Sequence, residues 1–168
     1  MADFNKYAPT LKKWEGGWAN HPNDPGGATM MGVTLATFRL FYGQERTADE
    51  LRHITGEQWE RIMKTYWDRC KADQIKNQSI AEMLVDWHIN AGVAAIKAWQ
   101  KSILLDADGI IGPKSLGVLN SPQASVIFSR MQDAREKYYR ELVRRNPKLG
   151  VFLGGWLKRT NSFKFSDQ

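Results

Sequence analysis

Between Trp14 and Thr29 the chain reads Trp-Glu-Gly-Gly-Trp-Ala-Asn-His-Pro-Asn-Asp-Pro-Gly-Gly-Ala-Thr, a stretch through which no regular element can run. Ahead of it, Phe4, Tyr7, Leu11 and Trp14 keep the spacing of an apolar helix stripe, and Gly16-Gly17 stop that helix. Residues 17–34 are rich in Gly and Pro, which predicts loop around a short irregular β-hairpin. The fold must therefore hold one carboxylate, Glu15, at a helix end, with a loop able to bend back over it.

The remaining punctuation is that of helices. Thr34 can cap a helix carrying Leu35, Phe38 and Phe41 and ended by Gly43. Thr47–Glu50 and Thr55–Gln58 have capping-box spacing, the second opening a helix with Trp59, Ile62, Met63, Tyr66 and Trp67. Ser79–Glu82 predicts a third such box, ahead of Met83, Leu84, Trp87 and Ile89. Asn90-Ala91-Gly92 breaks that helix, and Val93 to Leu105 reads as a largely buried one. Asp106–Gly109 is a turn, Pro113 suits the first turn of a short helix reaching Leu119, and Pro122 starts a long helix through Arg145. A last helix bears Phe152, Leu153, Trp156 and Leu157. The expected fold class is mainly α. Trp59, Trp67, Trp87, Trp99 and Trp156 sit at apolar helix positions, where core packing is their expected role.

A chain of 168 residues can form one domain with its own core, here divided into residues 1–78 and a helical part, 79–168. No apolar run approaches the roughly 18 residues of a membrane span, so no membrane partner is expected. The first residues lack a basic segment followed by an apolar one, so cytoplasmic synthesis without a signal peptide is expected. Cys70 is the single cysteine, which leaves no intramolecular disulfide. His21, His53 and His88 are scattered, so neither a metal site nor a cofactor is predicted. The net charge of +6 favours a polyanionic partner, nucleic acid or anionic cell wall. No helix-turn-helix, RNP or zinc-finger pattern accompanies it, which argues against specific nucleic-acid binding.

Cleavage of a glycosidic bond needs a carboxylic acid that keeps its proton until the leaving oxygen takes it. Burial beside apolar groups achieves that, and a helix C-terminus also disfavours an anion. Glu15 fits: it follows Trp14 at a helix end, and Gly16-Gly17 leave room for a sugar. Asp24 and Thr29, on the following loop, are candidates to hold an attacking water. Asn23-Asp24-Pro25-Gly26 is equally an ideal turn, so a capping role for Asp24 stays open, as does a backbone-satisfying role for Thr29. Asp86 and Asn90 are four apart and share a helix face, either towards substrate or as a buried hydrogen-bonded pair.

These residues carry a resemblance. Glu15-Gly16-Gly17-Trp18, Asn20, Asp24, Gly26-Gly27, Thr29 and Gly32-Val33-Thr34 resemble glycoside hydrolase family 108. The likeness continues through Tyr66-Trp67-Asp68, Asp86 to Gly92, Gln100, Asp108 to Pro113, Arg135 with Tyr138-Tyr139, and Gly155 to Arg159. It implies a lysozyme-like helical fold and N-acetylmuramidase activity, with Glu15 as proton donor. It further implies a C-terminal part often described as peptidoglycan-binding. Phage-type lysozymes use a Glu, Asp, Thr triad whose Asp lies nine residues after the Glu, the offset of Asp24 here, while Thr29 falls one residue short of theirs. Trp18 stands where the family signature has Tyr, and either ring can stack on a sugar; Asn20 joins it as a candidate substrate contact. His88 stands where a small or apolar residue is usual, implying an altered cleft lining. The implied partner is bacterial peptidoglycan, acted on by a monomer that reaches the wall after holin release or dedicated export. A non-catalytic wall-binding or secretion-associated protein is the competing reading.

Overall fold

The left-handed glycines and the helix caps divide the chain much as its punctuation suggests. The computed structural model describes residues 1–20 and 27–168. Among the described residues it has nine α-helices and one small antiparallel sheet, a mainly α, lysozyme-like fold. Two units form, residues 5–65 and residues 1–4 with 66–168.

The first unit takes in α1 (Phe4–Glu15) from Asn5 onward, β1 (Trp18–Ala19), β2 (Thr29–Met30) and β3 (Val33–Thr34). It continues with α2 (Leu35–Tyr42), α3 (Ala48–Arg52) and the first part of α4 (Gly56–Arg69). α1 ends where Gly16 takes a φ of +69°. β2 is the central strand, pairing Met30 with Trp18 and with Val33, and Thr29 with Ala19 and with Thr34. Only Met31 and Gly32 link β2 to β3, at φ +49° and +79°. Two left-handed residues in a two-residue link make a type I′ turn, whose twist suits a tight hairpin.

Each helix that follows starts on a side-chain cap. Thr34 accepts the Thr37 N–H at 3.1 Å, and Gly43, at φ +118°, closes α2. Thr47 and Glu50 bond each other's backbone at 3.2 and 2.8 Å, a complete capping box. Thr55 and Gln58 do the same at 3.1 and 3.0 Å.

The second unit is built around α5 (Gln78–Ala91), which is buried on almost every side and packs against α6 (Val93–Ser102) and α8 (Ala124–Arg145). α7 (Pro113–Leu119) and α9 (Gly150–Ser162) both pack on α8, and short 3₁₀ turns occupy Ala72–Gln74 and Pro147–Leu149. Asn77, not Ser79, caps α5: its side chain accepts the Ile80 N–H at 3.1 Å. Ser79 is instead buried and accepts the Ser166 N–H at 3.0 Å. α6 stops at Ser102, short of the predicted Leu105, and is amphipathic; Leu104 lies beyond it in a left-handed conformation, 94% exposed. The loop to α7 is organised by Gln100. Its amide donates to Asp108 Oδ1 and the Ile110 carbonyl, each at 2.9 Å, and its oxygen accepts the Gly109 N–H at 2.9 Å. Trp59, Trp67, Trp87 and Trp99 are all fully buried, as expected of core residues, whereas Trp156 is half-buried. Cys70 is buried too, and burial pushes its thiol up to about 12.

Candidate active site

Glu15 is the last residue of α1, at the negative end of the helix dipole. Its half-buried side chain reaches across to the I′ turn and lies against the α-carbon of Gly32. The fit leaves no room for a side chain unless the Glu15 carboxyl moves. A Cβ on Gly32 would collide with Glu15 Oε2 and sit 2.8 Å from Cδ and 3.2 Å from Cγ. The turn is held from two sides. The buried Trp59 donates its indole N–H to the Met31 carbonyl at 2.9 Å, and the Met31 N–H reaches the Gly17 carbonyl at 3.3 Å. Lys12 lies 5.1 Å over the Trp59 ring and pairs with Glu60 at 3.3 Å, fixing the indole further. Trp59 was expected only as core; its hydrogen bond, 28 residues away in sequence, also makes it the anchor of the turn beside Glu15.

Gly32→Ala tests this packing. The substitution is expected to cost about 1–2 kcal/mol for the left-handed backbone and to displace the Glu15 carboxyl. A displacement near 1 Å at a reacting group can lower a rate about 10²-fold. Gly27→Ala is the control, because Gly27 has a similar φ of +67° and nothing within 4 Å of an added Cβ. Equal loss of hydrolysis in the two variants would refute a special role for the Gly32 contact.

Thr29 and Trp18 lie on opposite faces of the sheet, since Trp18 pairs with Met30 and Thr29 with Ala19. Trp18 is half-buried, with the Arg52 guanidinium 5.7 Å from its ring centre. Arg52 was not singled out by the sequence, because nothing there ties the end of α3 to β1. Asn20 is exposed just after β1. Asp24 lies outside the described residues.

Asp86 does not face a cleft. Its side chain is wholly buried and bound by two arginines: Arg135 Nη2 donates to Oδ2 at 2.7 Å, and Arg159 Nη2 donates to Oδ1 at 2.7 Å. Asn90 is exposed at the end of α5, so the two residues share a helix face without sharing an environment. The expected contact of Asp86 with substrate is therefore corrected: it is a core anchor of the second unit. His88 is likewise in the core, 4% exposed, with the Tyr66 ring edge-on at 5.5 Å, and so lines no cleft. Neither of its ring nitrogens completes a hydrogen bond of ordinary geometry.

Burial pushes the His88 imidazole down, the charge of Arg69 adds to this, and the Gly92 backbone works against it. The unfolded chain then takes up a proton that the folded one refuses. Stability contributed by neutral His88 is complete above about pH 6.5 and is lost as pH falls below it. His88→Leu is expected to flatten that part of the acid limb in melting curves taken between pH 7.5 and 5. An unchanged limb would show that His88 does not set it.

Among the described residues no three His, Cys, Asp or Glu side chains group so as to hold a metal ion. Nor is any helix there long and apolar enough to cross a membrane.

The family model for glycosyl hydrolase 108 matches residues 8–92, half of the chain, and one for a predicted peptidoglycan domain matches residues 94–161. Among solved structures, SagA of Brucella abortus superposes with a TM-score of 0.76 at 29% identity, covering 98% of this chain and 97% of that one. Among curated proteins nothing matches the sequence. The first model contains Glu15, the I′ turn and Trp59 together, and with it the chain belongs to glycosyl hydrolase family 108, as a glycoside hydrolase joined to a predicted peptidoglycan domain.

Proposed function

We propose that the chain is an N-acetylmuramidase, cleaving the β-1,4 bond between N-acetylmuramic acid and N-acetylglucosamine in peptidoglycan, with Glu15 as proton donor. The observation that carries this reading is the placement of the Glu15 carboxyl on the bare backbone of Gly32. A helix end fixes the acid, and Gly32 lacks the side chain that would crowd a sugar ring beside it. Glu15 would give its proton to the glycosidic oxygen as the C1–O bond breaks. Water then adds at C1, with its proton taken by a base; Asp24 is proposed for that role, with the Thr29 hydroxyl helping to hold the water. Trp18 and Asn20 would contact the glycan, Trp18 through its ring face. The adjoining predicted peptidoglycan domain supports the same polymer as substrate.

Mass spectrometry of the fragments released from purified sacculi tests the reading. Disaccharide-peptides ending in reducing N-acetylmuramic acid, made by the wild type and not by Glu15→Gln, are expected. Reducing N-acetylglucosamine, 1,6-anhydro ends or free peptides would assign a different bond.

A further inference from the structure

The positive charge of this chain is not shared between its halves. Residues 94–168 hold 13 Lys and Arg against six Asp and Glu, whereas residues 1–93 hold 11 against 12. Much of the excess gathers where the C-terminal end of α8 turns into α9. Arg144 and Arg145 there share one carboxylate, Glu141, leaving a surplus cation. Lys148 lies in the turn and Lys158 about two turns along α9; both are exposed and form no ion pair among the described residues.

At the start of α9, between these cations in sequence, apolar side chains are exposed. Val151 is 82% and Phe152 54% exposed. Phe152 lies 5.7 Å from Trp156, and Trp156 stacks on the buried Tyr139 at 4.9 Å and 22°. The exposed ring is therefore the outer end of an aromatic column rooted in α8. The exposed face of α9 carries bare backbone: Gly155, one turn on from Phe152, and Gly154 are exposed, and a methyl group on either would meet nothing within 4 Å. Two helical glycines cost about 1 kcal/mol each relative to alanine, and no contact within the chain calls for them.

We propose that this corner of α8 and α9 is a docking face for the glycan strand of peptidoglycan. The apolar face of a pyranose ring would lie on Phe152 and the bare α9 backbone, and stem-peptide carboxylates would meet Lys148 and Lys158. Charge complementarity selects this occupant, since the polymer presents carboxylates along its length and the corner offers exposed cations, Lys148 in the turn and Lys158 on α9. An anionic bilayer fits less well, because interfacial helices bury a broad apolar face and α9 exposes only Val151 and Phe152 of its large apolar residues. The inference rests on peptidoglycan being the substrate, and it adds a grip on the polymer in the unit that does not carry Glu15.

Co-sedimentation of the full chain with purified sacculi, on ice, tests it. Phe152→Ser and the pair Lys148→Gln/Lys158→Gln are each expected to weaken binding about fivefold or more, roughly 1 kcal/mol. Lys97→Gln/Lys101→Gln on α6 removes the same charge and is expected to leave binding within about twofold. Equal weakening by the α6 pair would reduce the effect to net charge and overturn the site. Unchanged binding by both corner variants would overturn it as well. So would corner variants that lose binding only to phosphatidylglycerol vesicles, which would make the face a lipid contact. If muropeptide release names another bond while sacculus binding still follows the corner, the bond assignment alone falls. If release is as proposed and the corner variants bind like wild type, the docking face alone falls.

Discussion

Glu15→Gln is expected to lower hydrolysis of sacculi by about 10²–10⁴-fold, the usual contribution of a positioned general acid. The side chains are nearly the same size, and Glu15 is only half-buried. The melting temperature should therefore move by no more than about 2 °C, as for a surface change of about 0.5 kcal/mol in a chain of this length. Turbidity loss and reducing-end release measure the rate, and a thermal melt measures the fold. A variant that keeps full activity would remove Glu15 from the chemistry. One that loses activity together with several kcal/mol of stability would make the residue structural.

The largest expected effect on stability is at Asp86. Its carboxylate takes Arg135 and Arg159 at once, with both Asp86 and Arg135 wholly buried. Asp86→Ala would leave two guanidiniums in the core without a counter-charge, at about 3–5 kcal/mol. For a chain of this length that is roughly 6–20 °C of melting temperature. Asp86→Leu combined with Arg135→Met and Arg159→Met is expected to recover most of the loss, because apolar groups of similar volume can replace a buried ion cluster. Urea denaturation of wild type, single and triple variants measures both steps. A mild effect of Asp86→Ala would mean that the arginines find water or other acceptors. A triple variant no better than the single would mean that the ion cluster is itself required.

Local signals read well where their causes are local. Gly16, Thr34, Gly43, the Thr47–Glu50 and Thr55–Gln58 boxes, Gly92 and Pro113 all act within one turn of their own position, and each boundary falls where such a signal stands. Ser79 misled because Asn77, two residues earlier, offers the same cap and is fixed by its own bond to the Ser166 carbonyl at 2.7 Å. That partner lies 89 residues away and leaves no local trace. Asp86 misled for a similar reason: four-residue spacing states which residues share a face but not what the face meets. Its partners stand 49 and 73 residues further on, and only packing of α5, α8 and α9 brings them in. In the candidate site, Glu15 was legible from its helix end and glycines. The contact with Gly32 and the clamp by Trp59 were not, since a glycine announces freedom of backbone without naming the neighbour that needs it.

The clamp formed by Gln100 has a consequence for how this chain can vary in length. One side chain meets Asp108, Gly109 and Ile110 at three fixed points, and Asp108 also accepts the Ile110 N–H at 2.9 Å. An inserted residue between Leu105 and Gly112 would carry at least one of those groups out of reach and leave the buried amide unsatisfied. Length changes should be absorbed more readily near Gln44 and Glu45, exposed between α2 and α3: Arg39 and Arg46 span that loop, donating to the Arg46 and Tyr42 carbonyls at 2.8 and 3.1 Å, but these half-buried guanidiniums can turn to water as the buried Gln100 amide cannot. Insertions of two or three glycines at the two places, compared for yield of folded protein, would separate a segment of set length from one that is free to grow.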